Sequence, residues 1–145
     1  MKEYFDLGDY SRKVSTKQTC QIWFDRGMVW LFAYNHEEAI SCFEKAIEAD
    51  NECAFAFWGV AYAIGPNYNK HWDVFTPDEK APVLEKAHAA LRAGLALTKL
   101  STVEKELLEA LVYRYPVNTD IEDFQPYSDA FAKAMRPLYE KIKMI

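Results

Sequence analysis

The residues best suited to chemistry in this 145-residue chain are three histidines, three cysteines and several runs of carboxylates. His36, His71 and His88, with Cys20, Cys42 and Cys53, are the types that ligate transition metals. Such sites announce themselves by short spacings, Cys-x2-Cys or His-x3-His, and neither occurs. A metal arrangement could still come from folding, with His71, Asp73 and a cysteine brought together. Glu37-Glu38 and Glu104/Glu106/Glu109 could supply paired carboxylates for general acid–base work. They fall on helix faces beside Lys45 and Lys105, at the spacing of solvated surface pairs. There is no glycine-rich phosphate loop and no Gly-x-Ser-x-Gly. The chain therefore reads as a non-enzyme without cofactor or metal.

One further stretch gathers polar and aromatic side chains: Asn67-Tyr68-Asn69-Lys70-His71-Trp72-Asp73, within the loop 65–76. Binding loops have this composition, and Asn67, Asn69, His71 and Trp72 are its candidate contact residues. The plainer reading is packing, with Trp72 and Phe75 docked back on the helices.

These residues are positioned by helices. Residues 1–14 have no period and read as an extended arm. Ser15 and Gln18 form a capping-box pattern ahead of Ile22, Trp23, Arg26, Gly27, Trp30 and Leu31, spaced by three and four, in a helix running to about Tyr34. Asn35 caps a second helix, with Glu38 three residues on and Ala39, Ile40, Phe43, Ala46 and Ile47 as its buried stripe. A third spans about 52–64 and stops at Gly65-Pro66. Thr76, Pro77 and Glu79 open a fourth, to about Thr98. The Ser101/Glu104 box opens a fifth over 102–115, and a sixth runs from Pro126 to about Lys143. The result is an all-α chain of about six helices. Short connections predict antiparallel neighbours.

The length suits one domain with its own core. Half the residues are apolar or aromatic and the net charge is −5. No basic stripe is present, which argues against nucleic acid and anionic membranes as partners. Apolar runs are too short to span a bilayer. An odd set of cysteines without close pairs reads as buried, reduced thiols in a cytoplasmic protein.

Internal periodicity adds a second layer. Trp23-x2-Arg26-Gly27-x2-Trp30 is followed by Ala39-x3-Phe43-x2-Ala46, and 34 residues after the first comes Phe57-x2-Val60-Ala61-x2-Ile64. This resembles the tetratricopeptide repeat family. Small residues stand where paired helices come close, and aromatics fill the gaps beside them. Arg26 stands where the family has Leu, Asn51 where it has Pro, and Ala61 where it has Gly. The next helix-pair alanine would fall at 73 and its match is Ala87, so about 14 extra residues lie between, and the aromatic loop 65–76 is that insertion. The match is best over 20–57 and fades beyond residue 100. The chain is also similar to the N-terminal part of larger bacterial proteins of this family whose function is undefined. It ends in EKIKMI, mid-helix by pattern, and so reads as a fragment or as a short form that closes its core by self-association. Tyr127, Phe131, Met135 and Leu138 would form the open face for that.

The resemblance implies antiparallel hairpins stacked over residues 15–145 as a short right-handed superhelix, with an inner surface from the first helix of each pair. Gln21, Phe24, Asp25, Met28 and Phe32, then Phe55, Trp58, Gly59 and Tyr62, would project there. Family precedent implies a groove for a protein or peptide partner. The competing expectation is that the arm, with Tyr4 and Phe5, or the 65–76 loop covers this face in the same chain. Two alternatives stay open: a small-molecule or metal site built from the loop and the inner face, and a homodimerising unit.

Overall fold

The computed structural model describes residues 6–143. Six α-helices follow one another: α1 (Gln18–Phe32), α2 (His36–Ala49), α3 (Ala54–Ile64), α4 (Pro77–Leu95), α5 (Thr102–Val112) and α6 (Gln125–Ile142), with one 3-10 turn at Trp72–Val74. There is no strand among the described residues. Each helix packs on the next, and α3 also touches α1 and α5. None is long and apolar enough to cross a membrane.

Local signals account for most boundaries. Asn35 Oδ1 accepts from the Glu38 N–H at 3.3 Å and caps α2. Ser101 and Glu104 form a reciprocal box at α5, with bonds of 3.2 and 2.8 Å. At α4 the Glu79 carboxylate accepts from the Thr76 N–H at 2.8 Å and from its hydroxyl at 3.1 Å. Lys70 adds an ion pair at 2.7 Å. The Lys70 bond, then the Thr76 N–H, pull the Glu79 carboxyl down to about 2.

Between α1 and α2 the chain reverses through Ala33-Tyr34-Asn35. The Asn35 N–H reaches Trp30 O at 3.0 Å and the Tyr34 N–H reaches Leu31 O at 3.1 Å, the pair of bonds that closes a Schellman motif. The motif needs a left-handed residue, normally glycine. Here Tyr34 takes it, with φ of 61°.

Two boundaries differ from expectation. Ser15 does not cap α1; Lys17 holds the N-cap position without a side-chain bond. The Ser15 hydroxyl instead donates to Asp50 Oδ2 at 2.6 Å, across 35 residues of chain. The same hydroxyl oxygen accepts from the Lys17 N–H at 3.0 Å, one residue ahead of the helix, so Asp50 fixes the hydroxyl beside the start of α1 and not at its cap. Helix α5 stops at Val112, before Pro116, because the next residues turn Tyr115 into the core. Its hydroxyl donates to Ala61 O on α3. Full burial, opposed by the nearby Arg114 charge, raises that phenol to about 12.

The core is centred on Phe43 of α2, which is fully buried. Its ring lies between Gly27 of α1 and Gly59 of α3. A Cβ on Gly27 would stand 2.6 Å from that ring, and one on Gly59 2.7 Å. Both positions therefore exclude any side chain, and three helices close on one aromatic. Burying such a ring contributes about 1.5–3 kcal/mol. All three cysteines are free and buried. Burial, then neighbouring Cys20, pushes the Cys53 thiol up to about 12.

Candidate functional site

The faces of α1 and α3 expected to form one groove are divided in two. The first half is covered by the arm. Gln21 Oε1 accepts from the Val14 and Ser15 N–H groups at 2.9 and 3.2 Å, and its Nε2 donates to Arg12 O at 2.7 Å. Asp25 accepts from the Ser11 hydroxyl at 2.7 Å and the Arg12 N–H at 3.1 Å. The Arg12 guanidinium lies 5.6 Å from the Phe55 ring centre. Asp50 anchors the end of this segment, taking Ser15 on one oxygen and Lys17 at 2.8 Å on the other. Burial raises the Asp50 carboxyl, but the bonds from Lys17, Ser15 and the Glu52 N–H outweigh it and hold the group below its usual range. Tyr4 and Phe5 lie outside the described residues; residues 11–15 do the covering.

The second half is an open cleft of about 690 Å³. Met28, Leu31 and Phe32 at the end of α1 form one wall, continued by Tyr34 and His36. Trp58 and Tyr62 of α3 form the floor, stacked at 4.9 Å and 20°. Pro66, Asn67, Tyr68 and His71 of the loop close one side, and Ser128, Phe131 and Met135 of α6 the other. Phe32 and Tyr68 are 69% and 80% exposed. Arg114, just past α5, is held between two rings, 5.0 Å from Tyr62 and 5.3 Å from Phe131. One terminal nitrogen donates to Pro66 O. The other, Nη1, is buried without a hydrogen-bond partner among the described residues.

Of the residues singled out in the sequence, Met28, Phe32, Trp58, Tyr62, Asn67 and His71 line the cleft. Gln21 and Asp25 hold the arm, and Phe55 lies under Arg12 and packs on the core. Three placements are corrected. Phe24 is 1% exposed, inside the core against Phe43 at 5.7 Å, and offers no surface to a partner. Gly59 packs on Phe43 and serves helix approach. Trp72 is buried, stacked on Phe124 at 4.5 Å and edge-on to Tyr115 at 6.1 Å. Phe75 is buried beside it, so these two rings dock as the packing reading expected, while Tyr68 of the same loop stays exposed. Asn69 is exposed and its N–H donates to Asn67 Oδ1 at 2.9 Å.

The other histidines have structural partners. His36 Nδ1 donates to Tyr34 O at 3.1 Å, and His88 Nε2 to Pro116 O at 2.9 Å. Among the described residues no group of three or more His, Cys, Asp or Glu could hold a metal. His71 is exposed while the cysteines are core residues.

Sequence reasoning missed Arg114, Ser128 and Tyr34. The repeat pattern fades where Arg114 lies, and only its position ahead of Tyr115-Pro116 marked a turn. Of the four α6 residues expected to form an open face, Leu138 is buried, Tyr127 is half-buried, and Phe131 and Met135 are half-buried and line the cleft. A second, shallower groove of about 670 Å³ runs between α5 and α6, bridged by Lys141 and Glu106 at 2.8 Å.

Comparison with protein-family models, curated proteins and solved structures finds no match to this chain.

Proposed function

We propose that the chain is a helical-repeat binding module of tetratricopeptide type that holds an extended peptide segment of a protein partner in the open half of its inner face and does no chemistry. The observation that carries this reading is the cleft itself: half-buried and exposed aromatics from α1, α3, the loop and α6 converge on one open volume. Burying those rings is the main source of affinity in helical grooves, and the polar groups set register. The cleft is open along one side, which suits a chain passing through better than an enclosed small molecule.

The repeat reading is supported by burial at matching positions. Trp23 and Phe57 are both half-buried, Gly27 and Ala61 both buried, Trp30 and Ile64 both half-buried. On the second helices Ala39, Phe43 and Ala46 match Ala87, Leu91 and Gly94, all buried. Gly94 meets Phe57 Cβ at 3.1 Å from where its own Cβ would stand, a close approach between α3 and α4.

The groups whose ionisation the fold displaces, Lys17, Cys42, Asp50, Cys53, Glu79 and Tyr115, lie outside the cleft lining. Each is explained by burial or by a structural bond, which favours binding over catalysis.

The test is selection from an end-blocked peptide library on immobilised protein. Selected peptides are expected to carry aromatic or large aliphatic residues and to lose affinity with Trp58→Ala and Tyr62→Ala. Selection of no peptide, or affinities unchanged by both substitutions, overturns the assignment.

A further inference from the structure

We propose that the arm is a displaceable stand-in for the partner: the Gln21/Asp25 half of the face is a second peptide subsite, filled at rest by residues 11–14 and yielded to a partner segment that runs on from the cleft. This rests on the peptide-binding reading above; docking begins in the cleft, and the arm's subsite is reached from there. The two halves are one surface. On α1, Gln21 and Asp25 continue at helical spacing into Met28 and Phe32 of the cleft wall. On α3, Phe55 continues in the same way into Trp58 and Tyr62 of its floor. The arm lies on this surface only as far as Asp25, one turn short of Met28. Upstream of Ser11 it leaves the face, and Asp6, Leu7, Gly8 and Tyr10 gather with Ile22, Arg26 and Val29 on another side of α1.

What holds the arm is mostly generic. Gln21 accepts from the Val14 N–H and donates to Arg12 O, and Asp25 accepts from the Arg12 N–H. Any extended peptide offers these backbone groups, so a competitor exchanges like bonds for like at little net cost. The arm's own side chains add the Ser11 hydroxyl on Asp25 and the Arg12 guanidinium over Phe55. Residues 8–13 are exposed, and a segment held so lightly opens before the core does. Ser15 is buried on Asp50 and stays as the hinge. A partner bound in the cleft presents its following residues to the subsite at high effective concentration.

The subsite also sets chain direction. Ser11 and Arg12 lie at Asp25, beside the cleft, and Val14 and Ser15 lie at Gln21, towards the start of α1. A partner that takes over the same bonds runs the same way. Its aromatic or aliphatic core therefore precedes the residues that replace the arm. Asp25 and the Phe55 ring favour a hydroxyl residue followed by Arg or Lys at the places of Ser11 and Arg12.

The experiment uses three probes: a short core peptide from the library selection, the same core carrying Ser-Arg-Lys-Val after a short glycine linker at its C-terminal end, and the core with that extension at its N-terminal end. Amide hydrogen exchange of Arg12 and Val14 is read on the wild-type chain saturated with each. With the C-terminal extension both amides should lose the protection of their bonds; with the other two probes they should keep it. The double variant Ser11→Ala/Arg12→Ala loosens the arm and leaves the subsite intact. It should bind the C-terminally extended peptide roughly five-fold more tightly than wild type does, with no change for the core. Arm amides that stay protected under the C-terminal extension overturn the inference and leave the cleft reading intact. Loss of protection with the N-terminal extension, or with the core alone, overturns it as well. A core peptide that does not bind overturns the underlying reading.

Discussion

The two halves of the α1–α3 face meet the same problem in opposite ways. In one half, Gln21 and Asp25 present polar atoms that the arm's own backbone satisfies, bond for bond. In the other, aromatic rings and one cation line a cleft that no described segment fills. The covered half shows how this surface handles an extended chain. A glutamine side chain takes N–H and C=O groups from the arm, a carboxylate takes another N–H, and an aromatic lies beneath a side chain. The open half carries aromatic rings, a guanidinium and an amide, with no described segment upon them. Polar side chains alone do not mark a partner site; what distinguishes the cleft is that its half-buried and exposed aromatic rings are left uncovered.

The largest test removes what the halves share. Phe43→Ala empties the space between Gly27 and Gly59 and should cost about 3–5 kcal/mol in chemical denaturation, with arm and cleft lost together. A loss below about 1 kcal/mol would mean that the ring does not hold α1 and α3 in place.

The next test separates them. Asp50→Ala strands Ser15 and Lys17 and should cost about 1.5–3 kcal/mol, with faster proteolysis in residues 6–15 and unchanged peptide affinity in the cleft. Acid should do the same. The folded Asp50 carboxyl lies below its usual 3.8, so its contribution is complete above that pH and disappears as pH falls through the folded value. Glu79 behaves alike, its contribution fading from pH 4.5 towards about 2. Protease sensitivity of the arm measured from pH 6 to 2 should rise only at the acid end. A rise near neutrality would contradict the Asp50 anchor.

Tyr62→Ala acts on the open half alone. About ten-fold loss of peptide affinity is expected, with stability changed by less than about 1 kcal/mol. The smallest effect is a gain: Tyr34→Gly relieves the left-handed strain and should stabilise the chain by about 1 kcal/mol while weakening the cleft wall. A loss of stability would show that the Tyr34 ring contributes more to packing than its backbone costs.

Local signals in the sequence were read correctly where the partner is local. Asn35 with Glu38, Ser101 with Glu104 and Thr76 with Glu79 each span three residues, and each forms. Ser15 had the same pattern and was drawn instead to Asp50, a partner set by how α2 ends against the arm. The resemblance to the repeat family placed Met28, Trp58 and Tyr62 on the inner face, and they line the cleft. It could not tell that Phe24 lies on the core side of α1, because a 34-residue spacing says nothing of which neighbour covers a ring. Arg114 was illegible for a related reason: its role comes from Tyr62, Pro66 and Phe131, on three elements distant in sequence.

The central claim is that the cleft, and not the arm-covered half, is where a partner docks. The chain's four tryptophans offer a direct readout through their indole N–H resonances. Titration with a library-selected peptide should move the Trp58 signal by the largest amount and leave those of Trp23 and buried Trp72 near their free positions. A saturable shift at Trp23 with Trp58 unmoved would place the partner elsewhere and contradict the account.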